Sequence, residues 1–232
     1  MSEAPQTKLP STGAPPSILL GMTAVTGMVD AVSFLALGHV FTANMTGNIV
    51  FLGFAIGGAA GLSISGSLLA LICFAMGALL GGRMTREMIP QDSGKTLVHA
   101  LIIETFCFFF AAAVSIGFSA PYGDKQKMFL VIVLTAIAMG LRNSVVRKLA
   151  VPDLTTTVLT LTIAGLAADS GLAGGDNPRW QRRSAAILAI LVGAAAGAIM
   201  VSYSVPVPLL VCGLISGTCA LIQKHLEMKR SL

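Results

Sequence analysis

The sequence predicts an all-α polytopic membrane protein, and three observations carry that prediction. Hydrophobic residues make up 55% of the 232-residue chain and charged residues only 11%, where a soluble domain carries roughly 25% charged residues. Mean hydropathy is +0.84. The apolar residues also cluster into runs of the length that a bilayer core requires, about 20 residues as helix. So few polar side chains cannot cover a water-exposed surface, so lipid must cover it. The runs follow each other closely enough to predict one membrane domain over 17–223. Residues 1–16, with Pro5, Pro10, Pro15 and Pro16, are read as a disordered tail. They lack the basic stretch leading straight into an apolar core that marks a cleavable signal. Residues 224–232 are read as a short basic cytoplasmic tail.

Six runs are strong: roughly 17–38, 63–82, 97–119, 128–149, 184–203 and 205–223. Two are weaker. The run at 43–61 is broken by Gly47, Gly53, Gly57, Gly58 and Gly61, and the run at 154–170 opens with Thr155, Thr156 and Thr157. Basic residues discriminate between topologies, because cytoplasmic loops carry the excess of Lys and Arg. If all eight runs cross from a cytoplasmic N-terminus, the division is 9 inside against 6 outside. If both weak runs enter and return on one side, only Lys125 and Lys127 lie outside, 13 against 2. If 43–61 alone crosses and the N-terminus is outside, the count is 12 against 3. The last two arrangements both put the C-terminus in the cytoplasm.

An internal repeat favours six spans over seven or eight. Gly27, Asp30 and Thr46 in the first half lie under Gly140, Asn143 and Thr160 in the second, with a one-residue shift at the threonines. Each half, about 17–119 and 128–223, reads as a long helix with a charged centre, a short Gly/Thr-rich segment, and two further apolar helices. Three spans per half then give opposite orientations. Inverted repeats with broken or re-entrant elements near the midplane recur in transporters.

The net charge of +5 comes from short clusters between apolar runs, such as Arg83 with Arg86 and Arg179 with Arg182 and Arg183. That pattern sets topology and argues against a nucleic-acid partner. Cys73, Cys107, Cys212 and Cys219 all lie within apolar runs, without CxxC spacing or a zinc-like histidine pattern, and read as small hydrophobes. No metal or other cofactor is expected. No nucleophile elbow, P-loop or HExxH survives its context, so no enzymatic activity is expected.

A few polar residues inside the runs are therefore the candidate site. Asp30, central in the first run, predicts a substrate, cation or proton site, with a structural clamp on broken-helix backbone as the alternative. Arg142 lies at the matching depth beside Asn143. It is expected either to pair with Asp30 across the halves or to snorkel to the cytoplasmic side beside Arg147 and Lys148. Glu104, near His99 and Cys107, is a packing carboxyl group or a proton-relay candidate. Asn44, Thr46, Gly47 and Asn48 form a dense polar cluster that suits the lining of a pore or site, or a helix cap, or both. With Thr160, these residues make up the expected solute-binding set. Glycine pairs four apart, namely Gly53 with Gly57 and Gly61, Gly77 with Gly81, Gly193 with Gly197, and Gly213 with Gly217, allow close helix approach within the bundle or a homo-oligomer seam.

At these residues the chain resembles a known group. The stretch Gly27-Met28-Val29-Asp30-Ala31, followed by Phe41 through Asn48, is similar to the hallmark of the YoaK-like bacterial membrane proteins (domain of unknown function 1275). So are Ala138 through Asn143 and Thr156 through Thr160, although Leu161 stands where that pattern predicts glycine. The resemblance covers about 20 to 223 and implies a bacterial inner-membrane protein of about six spans with no established substrate. The expected function is a small-solute transporter or channel with a polar site between the halves. The alternative is a non-transporting scaffold or accessory protein that uses the same residues to hold helices together.

Overall fold

The structure is a computed structural model that describes residues 14–87, 93–117, 124–148 and 159–230. Among these residues all regular structure is helical: α1 (Pro16–Ala36), α2 (Met45–Ile56), α3 (Ile64–Glu87), α4 (Ser93–Val114), α5 (Lys125–Lys148), α6 (Leu159–Ala168), α7 (Trp180–Tyr203) and α8 (Pro206–Arg230), with one 3-10 turn at Gly171–Ala173. Six of these helices are long and apolar enough to cross a membrane: α1, α3, α4, α5, α7 and α8. The shortest of the six, α1, has 21 residues, about 32 Å at 1.5 Å per residue, which matches a hydrocarbon core of about 30 Å. The 12 residues of α2 and the 10 described residues of α6 measure only about 18 and 15 Å as helix, short of that thickness. Both helices fall inside the two weak runs. The expected threonines 155–157 lie outside the described residues, as does most of the expected N-terminal tail.

Several boundaries differ from the sequence reading: α3 runs on to Glu87 rather than 82, α5 starts at Lys125 rather than 128, and α7 starts at Trp180 rather than 184. The segment read as a basic tail is helical to Arg230, with Lys229 and Arg230 in the last turn of α8, where cations oppose the negative end of the helix dipole. The third span starts earlier, at Ser93 rather than 97.

The bundle is held by close crossings at glycines. A Cβ on Gly27 of α1 would strike the Ile190 carbonyl oxygen of α7, and one on Gly193 of α7 would strike that of Ala24. The same relation joins α5 to α3: Gly140 lies on the Phe74 carbonyl, and Gly77 on that of Ile137. Without a hydrophobic drive between helices in lipid, such backbone-to-backbone packing supplies much of the association. The remaining large contacts are α4 with α8, α4 with α5, and α1 with α8. The glycine pairs therefore divide. Those of α3 and α7 pack within the bundle, whereas Gly53 has open space at its Cβ position.

Outward faces are largely apolar. On α7, Leu191 and Val192 are each 61% exposed, as lipid-facing side chains are in a membrane protein. Cys73, Cys212 and Cys219 are buried, Cys107 is half-buried, and all four are free thiols. Several threonine hydroxyls inside the helices are satisfied locally: Thr23, Thr105 and Thr135 each donate to the carbonyl four residues back, at 2.7 to 2.8 Å, the usual accommodation of threonine in apolar helices.

Candidate functional site

The chain leaves α1 through a glycine-dependent stop. Gly38 has φ +88, and the His39 amide donates to the Phe34 carbonyl at 3.3 Å, the six-to-one bond that closes a helix with a left-handed residue. The Phe34 and His39 rings meet edge to face, 5.0 Å between centroids. The chain then doubles back along α1. The amides of Thr42 and Ala43 donate to Asp30 Oδ1 at 3.2 and 2.8 Å. Asp30 lies six residues before the end of α1 at Ala36, so the returning segment reaches about 9 Å back along the helix before α2 begins.

Asp30 and Asn48 hold this returning segment from opposite sides. The Asn48 carboxamide, fully enclosed, accepts from the Phe41 amide at 2.8 Å and donates to the Phe41 carbonyl at 2.6 Å. Paired bonds of this kind replace the ladder that an extended segment would otherwise lack. Asn44 caps α2, its side chain accepting from the Gly47 amide at 3.3 Å. The Phe41 ring stacks on Phe34 and on Phe51, at 5.3 and 5.5 Å, and those two rings also meet each other, at 5.9 Å. It lies where a side chain on Gly47 would be, 2.6 Å from that Cβ position. Gly47 thus makes room for a ring.

Between α1, α2, α6 and α7 lies a cavity of about 430 Å³. Asp30, Asn44, Thr46, Gly47 and Thr160 line it, together with Thr26. Its apolar wall is Val50, Phe51 and Ile190. Both short helices present their N-terminal ends here, α2 through Thr46 and Gly47 and α6 through Leu159 and Thr160. Helix N-termini carry unpaired amides and partial positive charge, which favour polar or anionic groups.

Arg142 departs from both expectations. It forms no ion pair with Asp30 and does not snorkel, because its side chain is fully enclosed. Its Nη1 donates to Glu104 Oε1 at 2.9 Å and its Nη2 to Thr26 Oγ1 at 2.6 Å. Ser216 donates to the same Glu104 oxygen at 3.1 Å. The arginine cannot reach water from a depth sealed by α1, α4 and α8, so it takes the acid that α4 supplies. His99 and Cys107 are not among the partners of Glu104; His99 Nδ1 lies 2.8 Å from the Lys95 carbonyl. Asn143 is half-buried on α5 and does not line the cavity.

Thr26 was not singled out from sequence, although it lies one turn before Asp30 on the same face of α1. It donates to the Met22 carbonyl at 3.0 Å while accepting from Arg142, so a single hydroxyl separates the cavity from the buried ion pair. Arg183 was read only as a topology charge. It donates to the Gly165 carbonyl of α6 at 2.7 Å and to Asp169 at 2.6 Å, which anchors the end of α6 to α7. Among the described residues no three His, Cys, Asp or Glu side chains converge as a metal site would require.

Comparison with known proteins places the chain. UPF0700 transmembrane protein YoaK of Bacillus subtilis (strain 168) is 38% identical over 151 residues, which are 65% of this chain and 64% of that protein. The match thus spans a little under two thirds of the relative's length. No solved structure matches. A family profile described as "Protein of unknown function (DUF1275)" covers residues 18–222, nearly the whole helical bundle, and the chain therefore belongs to the DUF1275 family as a multi-pass membrane protein.

Proposed function

We propose that the protein passes or transports a small polar solute through the cavity between α1, α2, α6 and α7, without enzymatic chemistry. One observation carries this reading. Two helices shorter than the bilayer core bring their N-terminal ends to one cavity, which Asp30, Asn44, Thr46 and Thr160 line. Interrupted helices that aim their positive ends at a central site are the arrangement by which many transporters hold substrates. On this reading α2 and α6 are re-entrant, and the two halves are inverted repeats. Matched packing supports the repeat: α1 meets α7 as α5 meets α3, glycine on carbonyl in each case, and α1 meets α8 as α5 meets α4. The positive-inside count then puts the C-terminus in the cytoplasm of a bacterial inner membrane.

Permeability of proteoliposomes tests the reading. Purified protein should speed the entry of at least one member of a panel of small polyols, monovalent cations and monovalent anions. Thr46→Val and Thr160→Val, both on exposed cavity wall, should slow that entry. Wild-type vesicles no faster than empty ones across the panel, or variants that match wild type, would sink it.

A second reading, a non-transporting scaffold, draws on one specific observation. Asp30, although it lines the cavity, and the enclosed Asn48 both hold backbone. Under it, Asp30→Asn impairs folding and no panel member changes the melting temperature, whereas a bound solute would raise it.

A further inference from the structure

A second concave surface lies on the opposite side of the bundle, where α4 and α8 cross. Its deep part is an apolar groove of about 410 Å³ floored at Gly213 and Gly217 and walled by Phe106, Phe109 and Leu214. Its mouth is a second depression of about 300 Å³, lined by Lys95, His99, Lys224 and Glu227. Val98, Ile102 and Lys224 belong to both, so the two form one continuous surface. We propose that this surface is a binding site for one anionic phospholipid, its acyl chain in the groove at Gly213 and Gly217 and its phosphate between Lys95 and Lys224.

Length, polarity and charge converge on that occupant. From Lys224 to Gly213 is eleven helical residues, about 16 Å, which is the depth of one leaflet of a core of about 30 Å. The groove faces where lipid must be, since Phe106 and Leu214 are 68% and 61% exposed. Its cations sit only at the end where acyl chain gives way to headgroup. Lys95, His99 and Lys224 are all exposed there. The one acid, Glu227, is already engaged: it accepts from Gln223 at 2.9 Å and from Arg230 at 3.3 Å. Arg230 and Lys229 continue the basic character of the same helix end. Basic residues at a membrane surface attract anionic headgroups. The depression exists because the two α8 glycines carry no side chain beside Phe109 and Thr105. This inference is independent of the solute reading.

The test uses the full chain in mild detergent, with phosphatidylglycerol and phosphatidylethanolamine of identical acyl chains. Phosphatidylglycerol should raise the melting temperature more than phosphatidylethanolamine, and native mass spectrometry should show one retained lipid. In the double variant Lys95→Gln, Lys224→Gln, affinity for phosphatidylglycerol should fall about 30-fold, as expected for two basic contacts, with that for phosphatidylethanolamine unchanged. Gly217→Leu should weaken both lipids by filling the groove; its Cβ position is in ordinary contact, 3.4 Å from Thr105. Equal stabilisation by the two lipids, or a double variant that keeps its preference, overturns the proposal. So does a Leu214→Cys variant that cross-links to a second copy in place of retaining lipid.

Discussion

Arg142 and Glu104 form an ion pair at 2.9 Å, with neither side chain exposed to any degree, on helices joined otherwise by apolar contacts. Thr26 and Ser216 join it from α1 and α8, so four helices converge on two charges, with Glu104 Oε2 and Arg142 Nε left without a hydrogen bond. A pair so deep is weak evidence for stability in itself, since desolvation offsets attraction, but removing one partner strands the other.

Glu104→Gln or Arg142→Met alone is therefore expected to cost about 3–5 kcal/mol. The double variant Glu104→Gln, Arg142→Met should recover a large part of that loss. Thermal unfolding of the four proteins in detergent, treated as a double-mutant cycle, measures the coupling. Additive losses would show that the two charges act separately and that the convergence has no energetic meaning.

The clamp on the returning segment gives a second expectation. Asp30→Ala leaves the Thr42 and Ala43 amides without their acceptor, and Asn48→Ala does the same to both backbone groups of Phe41. Each unsatisfied buried group costs about 1–3 kcal/mol. Hydrogen exchange over 41–44 should accelerate in both variants and stay unchanged in Thr46→Val, which lies on the cavity wall and holds no backbone there. Equal protection in all three would mean that another feature holds the segment.

Much of this architecture was legible in the sequence, because bilayer thickness fixes span length and few residues are polar. The six long helices followed from run length, and the two weaker segments from the glycines and threonines in their runs, with the basic-residue count and the internal repeat favouring six spans over eight. Asp30, Asn44, Thr46, Gly47 and Thr160 stand out in the sequence because polar groups and a glycine at membrane depth need a reason, and all five line the cavity. What was not legible was pairing. Glu104 and Arg142 are 38 residues apart on different helices, and sequence depth matched Arg142 to Asp30, not to Glu104. Asn48 and Thr46 lie two residues apart on a helix, so they point in different directions, one to backbone and one to the cavity. Residue type does not reveal that difference, but helical spacing does.

Glycines of identical spacing should behave differently. Gly77→Ala and Gly140→Ala drive a Cβ into a carbonyl of the facing helix, which forces α3 from α5. Gly53→Ala meets nothing within 4 Å and replaces a poor helix former, a gain of about 1 kcal/mol in helix propensity. Melting temperatures should fall sharply for the first two and hold or rise for the third. A loss at Gly53 equal to that at Gly77 would assign the α2 glycine face to a contact outside the chain, such as a second copy.

Arg183 offers the most direct test of how α6 is held. Its guanidinium bonds the Gly165 carbonyl in the last turns of α6 and the Asp169 carboxylate just beyond, and it lies 3.2 Å from where a Gly165 Cβ would be. A cation at a helix C-terminus contributes about 0.3–1 kcal/mol, and up to about 2 when partly buried. Arg183→Gln should therefore lower stability by about 1–2 kcal/mol and speed hydrogen exchange along 159–169. Exchange in α2 should not change, because Asp30 and Asn48 hold that side independently. Both bonds come from one nitrogen, Nη1, so Arg183→Lys, whose ammonium also carries several donors, should rescue part of the loss. Full protection of α6 in Arg183→Gln would show that packing on α7 alone fixes the helix. If α6 loosens while α2 stays firm, the two short helices that meet at the cavity are anchored separately, and each is then free to move without the other.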